Sequence, residues 1–372
     1  MSALFKPLTL RSLALPNRIV VSPMCQYSAV DGNAQHWHWA HLSSLALSGA
    51  ALVCVEATAV TPEGRITPGC LGLWSDANEA ALAPLMNMLR AATPARLAIQ
   101  LAHAGRKGSS HPPWRGGKLL APADGGWQPE APSAVPHAPG EAAPRALTAD
   151  DLARLRRAFA VAAARAARLG FDAVEIHMAH GYLLHQFLSP VANRRSDAYG
   201  GDFANRTRFP LAVFDAVRAA FPAERPVGVR VSATDWLDGE ESWTLAQTIA
   251  LAQQLKARGC DWIDVSSGGI SPRQKIALGP AYQVPFAEAV RNETGLTTIA
   301  VGMITDAHQA EAIVRDGQAD LVALARGFLY DPRWAWHAAA ALKGTVQAPR
   351  QYWRALPRDA PPIFGDITFG QR

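Results

Sequence analysis

The chain has 372 residues, of which 49% are hydrophobic, 18% charged and 8% aromatic, and its 30 arginines and six lysines leave a formal net charge of +5. This composition excludes an intrinsically disordered chain, a collagen and a coiled coil, and the basic balance makes phosphate or nucleic acid a candidate partner. At about 150 residues per domain the length suggests two or three domains, although a (β/α)8 barrel of roughly 250 to over 400 residues is also one domain.

The start of the chain does not have the form of a targeting segment. The first 17 residues contain no unbroken apolar stretch followed by a small-residue cleavage site, and the longest apolar stretch, residues 45–60, is too short to span a bilayer. The four cysteines (Cys25, Cys54, Cys70 and Cys260) form no CxxC pair, which argues against a zinc or iron–sulfur site and is typical of a reducing compartment. We therefore expect a cytoplasmic protein without a membrane span.

Eight short runs rich in β-branched residues recur along the chain, and a stretch of helical periodicity follows each. The predicted strands are residues 18–24, 51–59, 97–102, 173–178, 227–233, 262–266, 298–303 and 321–325. The predicted helices include residues 76–92, 149–169, 206–221, 244–258, 306–314 and 332–342. Thr148 is placed to cap one helix start, and Gly170, Gly259 and Gly317 stand where helix C-caps belong.

The alternation of apolar strands with amphipathic helices predicts an α/β protein. Strands this uniformly apolar belong to a parallel sheet that is buried on both faces. Eight strand–helix units fit a closed (β/α)8 TIM barrel better than an open doubly wound sheet, because no GxGxxG follows the first strand and no GxxxxGK[ST] occurs. We expect one barrel over residues 1–343, with a long loop (106–147) after the third strand, and a C-terminal tail over residues 344–372.

The strongest local pattern stands at the end of the fourth strand. Glu175 and His177 share one face of this strand. His180 and Tyr182 follow it, so two imidazoles and a phenol surround the mouth of the barrel where such folds hold their active sites. These groups could simply satisfy one another, and a metal site is a weaker alternative because Glu56 is the only carboxylate at a neighbouring strand end. In the functional interpretation, both neutral imidazoles donate hydrogen bonds to a substrate oxygen while Tyr182 supplies a proton.

The last two predicted strands end in a second pattern, which indicates a phosphate site. Gly302 and the pair Ala325 and Arg326 lie where (β/α)8 barrels commonly bind phosphate, and a guanidinium adds bidentate contact. Ser267, after strand six, offers further backbone amides. Arg230, near the end of strand five, is able to point to the same mouth. Together these residues favour a bound phosphorylated cofactor.

Three histidines, His36, His38 and His41, suggest a metal site at the start of the first helix. Ligands on one helical face need a spacing of three or four residues, and only His38 and His41 meet it. We therefore interpret the cluster as structural.

Three longer motifs stand out: NRIVVSPMCQY at residues 17–27, HMAHGYLLHQFLSP at 177–190 and YGGDFANRTRF at 199–209. They resemble the old yellow enzyme family of FMN-dependent ene-reductases, and within it the bacterial subclass of xenobiotic reductases and thermophilic-like enzymes. The resemblance extends from about Leu4 to Arg354. It implies a non-covalent FMN and a nicotinamide reductant, NADPH or NADH. The implied activity is reduction of the C=C bond of α,β-unsaturated carbonyl compounds, with nitro compounds as further candidate substrates.

The resemblance also implies a role for each matching residue. His177 and His180 would bind the substrate carbonyl oxygen, hydride would pass from flavin N5 to the β-carbon in a ping-pong cycle, and Tyr182 would protonate the α-carbon. Tyr27 would line the substrate pocket. Trp353 and Arg354 would reach the neighbouring subunit's pocket, which implies a homodimer or homotetramer. The flavin would be held by Pro23, Met24, Cys25, Ala57, Gln100, Arg230, Ser267, Gly302, Ala325 and Arg326.

Other functions on the same fold agree less well with the sequence. A dihydrouridine synthase-type RNA-modifying barrel, suggested by the basic charge, needs an added RNA-binding domain. A Schiff-base aldolase needs a lysine at a strand end, and none of the six lysines lies there. A 2,4-dienoyl-CoA reductase-like enzyme needs clustered cysteines and extra domains, and a non-enzymatic binding barrel would leave His177, His180 and Tyr182 unexplained. We expect neither nucleic acid nor a resident metal as a partner.

Overall fold

The computed structural model describes residues 2–365 and 367, and eight parallel strands in this part of the chain close into a barrel. The strands are β1 (Ile19–Val21), β2 (Leu52–Ala59), β3 (Arg96–Ala102), β4 (Ala173–Met178), β5 (Val227–Ser232), β6 (Trp262–Ser266), β7 (Thr297–Val301) and β8 (Leu321–Leu324). Each pairs with the next in sequence, and β8 closes the ring on β1. The predicted (β/α)8 fold is confirmed.

Helices follow every strand on the outside of the barrel. They are α1 (His36–Ala46), α2 (Asp76–Ala92), α3 (Ala149–Arg168), α4 (Leu183–Leu188), α5 (Phe203–Ala220), α6 (Leu245–Ala257), α7 (Val284–Thr294), α8 (Ala307–Arg315), α9 (Arg326–Tyr330) and α10 (Trp334–Leu342). The Thr148 side chain caps α3 by accepting from the Asp151 N–H, and Gly170 and Gly259 take the left-handed conformation after α3 and α6. These end signals therefore set the helix bounds as the sequence predicts.

The hydrophobic core has one layer between strands and helices and a smaller one inside the barrel. Along β4, Val174 and Ile176 face the outer layer, so the intervening Glu175 and His177 face the interior. Inside the barrel, Trp262 packs in a cluster with residues of the N-terminal hairpin, strands Leu8–Leu10 and Leu13–Leu15. Each fully buried leucine of this kind contributes about 1.5–3 kcal/mol. The hairpin, which the sequence pattern does not predict, thus contributes to the inner layer.

The long loop after β3 is ordered by side-chain anchors rather than by periodic structure. It contains short 3-10 turns and a two-residue ladder between Glu130–Ala131 and Arg145–Ala146. Trp127 donates its indole N–H to the Glu63 carbonyl at 3.0 Å, and the Arg65 guanidinium stacks on the Trp127 ring at 5.0 Å. These contacts hold the loop over the mouth of the barrel.

The tail returns to the last helix of its own chain. Tyr352 and Phe364 both meet the Trp336 ring of α10 edge to face, and the Arg333 guanidinium lies 5.4 Å from the Tyr352 ring. Trp353 donates to the Ala348 carbonyl at 3.1 Å. Within the part of the chain that the structure describes, no helix is both long and apolar enough to cross a membrane.

Candidate active site

The end of β4 fixes the orientation and the tautomer of His177. The backbone N–H of Ala179 donates to His177 Nδ1 at 3.1 Å. Because Nδ1 is an acceptor, the neutral ring carries its proton on Nε2. That Nε2 lies 3.3 Å from His180 Nδ1, and His180 Nε2 lies 2.7 Å from Ser266 Oγ. A chain of hydrogen-bonding contacts therefore runs from His177 through His180 to Ser266.

Both imidazoles are neutral at pH 7. Burial lowers the pKa of His177 and of His180 well below 6.5, and the Arg230 guanidinium lowers both further. Arg230 is the register partner of His177 on β5, which explains this proximity. Two uncharged N–H donors at one strand end can bind an oxygen and stabilise charge that develops on it.

Tyr182 stands beside the His177 ring. Its ring meets the His177 ring edge to face at a centroid distance of 5.0 Å. Burial, followed by the nearby Cys25, Tyr27 and Cys70, raises the pKa of Tyr182 well above 10, so the phenol keeps its proton at neutral pH. The structure thus brings together the three groups that the sequence pattern predicts at this strand end.

Buried residues behind the turn between β4 and α4 hold it in place. His180 (φ +58°) and Gly181 (φ +72°) are both left-handed, and a Cβ on Gly181 would lie 2.0 Å from the Gly269 carbonyl oxygen. The Gly181 N–H donates to His185 Nδ1 at 2.9 Å. His185 Nε2 in turn lies 2.9 Å from Asp235 Oδ1, and both side chains are fully buried. This buried pair over-determines a strained turn at a functional position.

A polar layer fills the barrel interior beside His177. Gln100 Nε2 donates to Glu175 Oε1 at 2.9 Å, and Arg230 Nε lies 3.3 Å from Asp264 Oδ2. Burial raises the pKa of Glu175 and raises that of Asp264 to about 7, and Arg230 opposes both shifts. Gln100 and Arg230, both expected at the flavin edge, therefore share one layer of the barrel.

A cavity of about 770 Å³ opens at the ends of β5 to β8. Its lining includes Arg230, Ser266, Tyr282, Gln283, Gly302, Ala325 and Arg326. Gly302 has φ +123°, and a Cβ there would lie 2.7 Å from Gln283 Nε2, so glycine keeps this wall open. Ser267 Oγ donates to Gln283 Oε1 at 2.6 Å, and Arg230 Nε is buried without a hydrogen-bond partner. Two guanidiniums and the bare backbone at Gly302 fit a phosphorylated cofactor of this size.

The segment directly after β1 contributes the residues expected against a flavin ring. Pro23, Met24, Cys25 and Tyr27 are all partly exposed, whereas Ala57 is buried in β2. A hydrogen bond with Cys70 and burial raise the pKa of the Cys25 thiol well above its usual value, so it is a thiol and not a thiolate.

Tyr27 takes a left-handed conformation (φ +54°) and lines a second, smaller pocket together with Tyr182. Its ring meets the Trp114 ring of the long loop at 5.3 Å. The loop therefore reaches the pocket through Tyr27.

Of the histidines at the start of α1, His38 has a structural partner. His38 Nε2 lies 3.4 Å from Glu56 Oε1, and both side chains are buried. The other carboxylate oxygen of Glu56 accepts from the Gln26 N–H at 3.1 Å, so His38 supports the segment that follows Cys25. Among the described residues, no group of three His, Cys, Asp or Glu is arranged to hold a metal ion.

Two residues of the site have no signal in the sequence. Lys107 lies five residues beyond β3, where a 3-10 turn folds it back so that Nζ donates to the carbonyls of His180 and Gly269 at 2.9 and 3.1 Å. Gln283 precedes α7 and reaches the Val301 carbonyl at 2.8 Å. Trp353 and Arg354, in contrast, line neither of the two cavities.

The strand ends of this barrel combine a cavity with neutral hydrogen-bond donors and a phenol. Such a site is suited to redox chemistry on a phosphorylated cofactor. The profile of the NADH:flavin oxidoreductase / NADH oxidase family matches residues 3–344. The chain belongs to this family, that of the old yellow enzymes. It is an FMN-dependent oxidoreductase with a nicotinamide reductant.

Relatives cover nearly the whole chain. It is 43% identical over 353 residues to an NADPH dehydrogenase of Geobacillus sp. (strain WCH70) and 42% identical over 353 residues to one of Bacillus subtilis (strain 168), covering 94% of this chain and 98% of each relative. The structure of morphinone reductase in complex with tetrahydroNAD is similar at a TM-score of 0.74 and 31% identity, covering 93% of this chain and 92% of that one.

Proposed function

We propose that the protein reduces the C=C bond of α,β-unsaturated carbonyl compounds, and also nitro compounds, in a ping-pong cycle with NADPH or NADH. The observation that carries the proposal is the grouping of two neutral imidazoles and a protonated phenol at the end of β4. The Pro23–Cys25 segment, Gln100 and Arg230 would hold the flavin ring, and Ser267, Gly302, Ala325 and Arg326 its phosphate arm. FMN, when bound there, supplies the hydride for the alkene.

His177 and His180 bind the carbonyl oxygen in this proposal. Their mutual contact of 3.3 Å is long for a hydrogen bond, so an oxygen that accepts from His177 Nε2–H replaces only a weak interaction. Hydrogen bonds to the oxygen draw electron density from the alkene and make its β-carbon electrophilic. Donors of this kind, placed where negative charge develops, contribute about 3–4 kcal/mol each to transition-state stabilisation.

Tyr182 delivers the proton to the α-carbon. Its raised pKa keeps the phenol protonated through the neutral range, and its contact with His177 supports a role next to the carbonyl compound. General acid catalysis by a positioned side chain is worth about 10²–10⁴-fold in rate.

Tyr182→Phe tests the proposal. In anaerobic stopped-flow measurements we expect flavin reduction by NADPH to remain nearly unchanged and flavin reoxidation by 2-cyclohexenone to slow by about 10²–10⁴-fold. Tyr199→Phe, a tyrosine that packs on the hydrophobic core, is the matched control and should leave both half-reactions intact. Equal slowing of both half-reactions by Tyr182→Phe would contradict the role of proton donor, and folded protein that binds no FMN would refute the function.

We also propose a homodimer or homotetramer in which the tail shapes the substrate pocket of a neighbouring subunit. The supporting observation is that Tyr352, the neighbour of Trp353 in sequence, packs edge to face on Trp336 of α10. Trp353 and Arg354 are the candidate pocket residues.

A further inference from the structure

Two neighbouring cations, the buried Arg106 and the half-buried Lys107, line one pocket with Tyr182 and form no ion pair within the part of the chain that the structure describes. The Arg106 side chain is 4% exposed, and its terminal nitrogens donate only to the carbonyls of Val135, Pro136 and Ile270. Its Nε is buried with no partner. Within the described residues, neither cation lies within 4.0 Å of a carboxylate oxygen. Glu141, and for Arg106 also Asp235, therefore act on these cations only from beyond ion-pair distance.

Lys107 presents this charge to a ligand. Its ammonium donates to the carbonyls of His180 and Gly269 and lies 5.2 Å from the centre of the Tyr182 ring. Because an ammonium has three donors, one N–H is left over. The His111 imidazole, which lines the same pocket, makes no side-chain hydrogen bond within the described residues and offers a second donor.

The electrostatic effect of the two cations extends to their surroundings. Burial lowers the pKa of Arg106 to about 10, and burial with the neighbouring Arg106 lowers that of Lys107 to about 8. Burial and then the two cations lower the pKa of His137 to about 4. Glu141 also lines the pocket, but its carboxylate accepts from the Ala138 N–H and pairs with neither cation. Unpaired buried charge is costly, and an anion removes that cost.

The pocket that these residues share with Tyr27 and Tyr182 has a volume of about 200 Å³. That volume holds a carboxylate or phosphate with a few further atoms, and it is too small for a whole nucleotide. We propose that it binds a compact anionic group, carboxylate or phosphate, on a molecule whose reacting part lies at His177 and His180. The inference rests on the proposed function and deepens it, because the anion belongs either to the alkene substrate or to the nicotinamide nucleotide.

Lys107→Met removes the charge while keeping the length of the side chain, and Lys107→Arg keeps the charge. Lys118→Met, an exposed lysine of the same loop outside this pocket, is the matched control. Because Lys107 also holds the carbonyl of His180, each measurement is a ratio between a charged and an uncharged probe, so a general loss of activity cancels.

The substrate arm compares 2-(carboxymethyl)cyclohex-2-enone with its methyl ester, and the cosubstrate arm compares NADH with N-benzyl-1,4-dihydronicotinamide, which has no phosphate. In Lys107→Met we expect the preference for the charged probe to fall roughly 10- to 100-fold in the arm that carries the natural anion. Lys107→Arg should retain most of the preference, and Lys118→Met all of it. Unchanged ratios in both arms overturn the inference.

A binding measurement separates failure of this inference from failure of the proposed function. Inorganic phosphate should raise the Tm of the wild-type and Lys118→Met holoenzymes and leave that of Lys107→Met unchanged. If the enzyme turns over neither the methyl ester nor N-benzyl-1,4-dihydronicotinamide, the proposed function fails. The effect of phosphate on Tm then tests the anion site by itself. An equal rise of Tm in all three proteins overturns the site.

Discussion

At the scale of residues, one chain of hydrogen bonds joins the β4 site to the large cavity. It runs from His177 through His180 to Ser266, whose hydroxyl lies 3.3 Å from Gln283 Oε1. Gln283 then donates to the Val301 carbonyl, next to Gly302. The Ala179 backbone N–H fixes the tautomer of His177, whereas the Ser266 hydroxyl is able to donate to His180 Nε2 or to accept from it. This arrangement keeps the Nε2–H donor of His177 in place without a positive charge.

The buried carboxyl group of Asp264 leads us to predict that the stability of the fold depends on pH. Burial raises its pKa to about 7 from an ordinary value of 3.8, so the folded state holds a proton that the unfolded state has lost between those two values. The free energy of unfolding therefore falls as the pH rises through this window, by up to about 1.4 kcal/mol per pH unit from this group. Asp264→Asn should abolish this fall. The unfolding free energy of the variant minus that of the wild type should therefore increase from pH 4 to pH 7.

Urea unfolding at pH 5, 6, 7 and 8 measures this difference. Asp238→Asn, which changes an exposed carboxylate, is the control and should run parallel to wild type. If the Asp264→Asn and wild-type curves also run parallel from pH 5 to 7, the carboxylate ionises at its ordinary pKa and the interpretation of the buried layer is wrong.

At the scale of elements, the turn between β4 and α4 depends on residues that touch neither cavity. Asp235 Oδ2 accepts from both the Ser189 hydroxyl and the Trp243 N–H, and Oδ1 faces His185 Nε2. An amide cannot serve all three donors, so Asp235→Asn leaves one of them unsatisfied and loosens His185, which holds Gly181. We expect alkene reduction to slow by about 10- to 100-fold, because losing a buried hydrogen bond to a charged group costs about 1.5–3 kcal/mol.

The solvent deuterium isotope effect distinguishes positioning from a general structural loss. In Asp235→Asn, the effect on flavin reoxidation by alkene should increase, because proton delivery by the displaced Tyr182 limits the rate, while FMN content stays near wild type. Ser189→Ala removes only one donor to the same carboxylate and should show a smaller change in the same direction. A variant with lower FMN content and an unchanged isotope effect would show that Asp235 only stabilises the fold.

The elements also show what the sequence can predict. Strands β2 and β4 are predicted to within one residue, because continuous apolar runs with turn residues at their ends admit no other structure. The hairpin Leu8–Leu10 and Leu13–Leu15 is missed, since three-residue strands have no measurable period. The grouping of His177, His180 and Tyr182 follows from their spacing at one strand end. Lys107 does not, because its place in the site depends on how a loop of some forty residues folds back.

At the scale of the whole molecule, two segments lie outside the barrel repeat, the long loop and the tail. The long loop contributes Lys107 and Trp114 and is fixed to the barrel by Trp127. The tail packs on Trp336 of α10. Neither segment follows the barrel periodicity, and within the described residues the long loop lines the smaller pocket with Lys107.

The proposed contribution of the tail to a neighbouring subunit predicts complementation between two defective chains. Tyr182→Phe lacks the proton donor but has an intact tail, and Trp353→Ala has the proton donor but an altered tail. If Trp353 acts in the neighbouring pocket, mixed oligomers from co-expression contain sites with both Tyr182 and Trp353, and their rate of alkene reduction should exceed the mean of the two pure variants. If Trp353 acts only within its own chain, no mixed site gains activity, and the rate should equal that mean. Separately purified variants mixed immediately before assay, without time for subunit exchange, give the baseline.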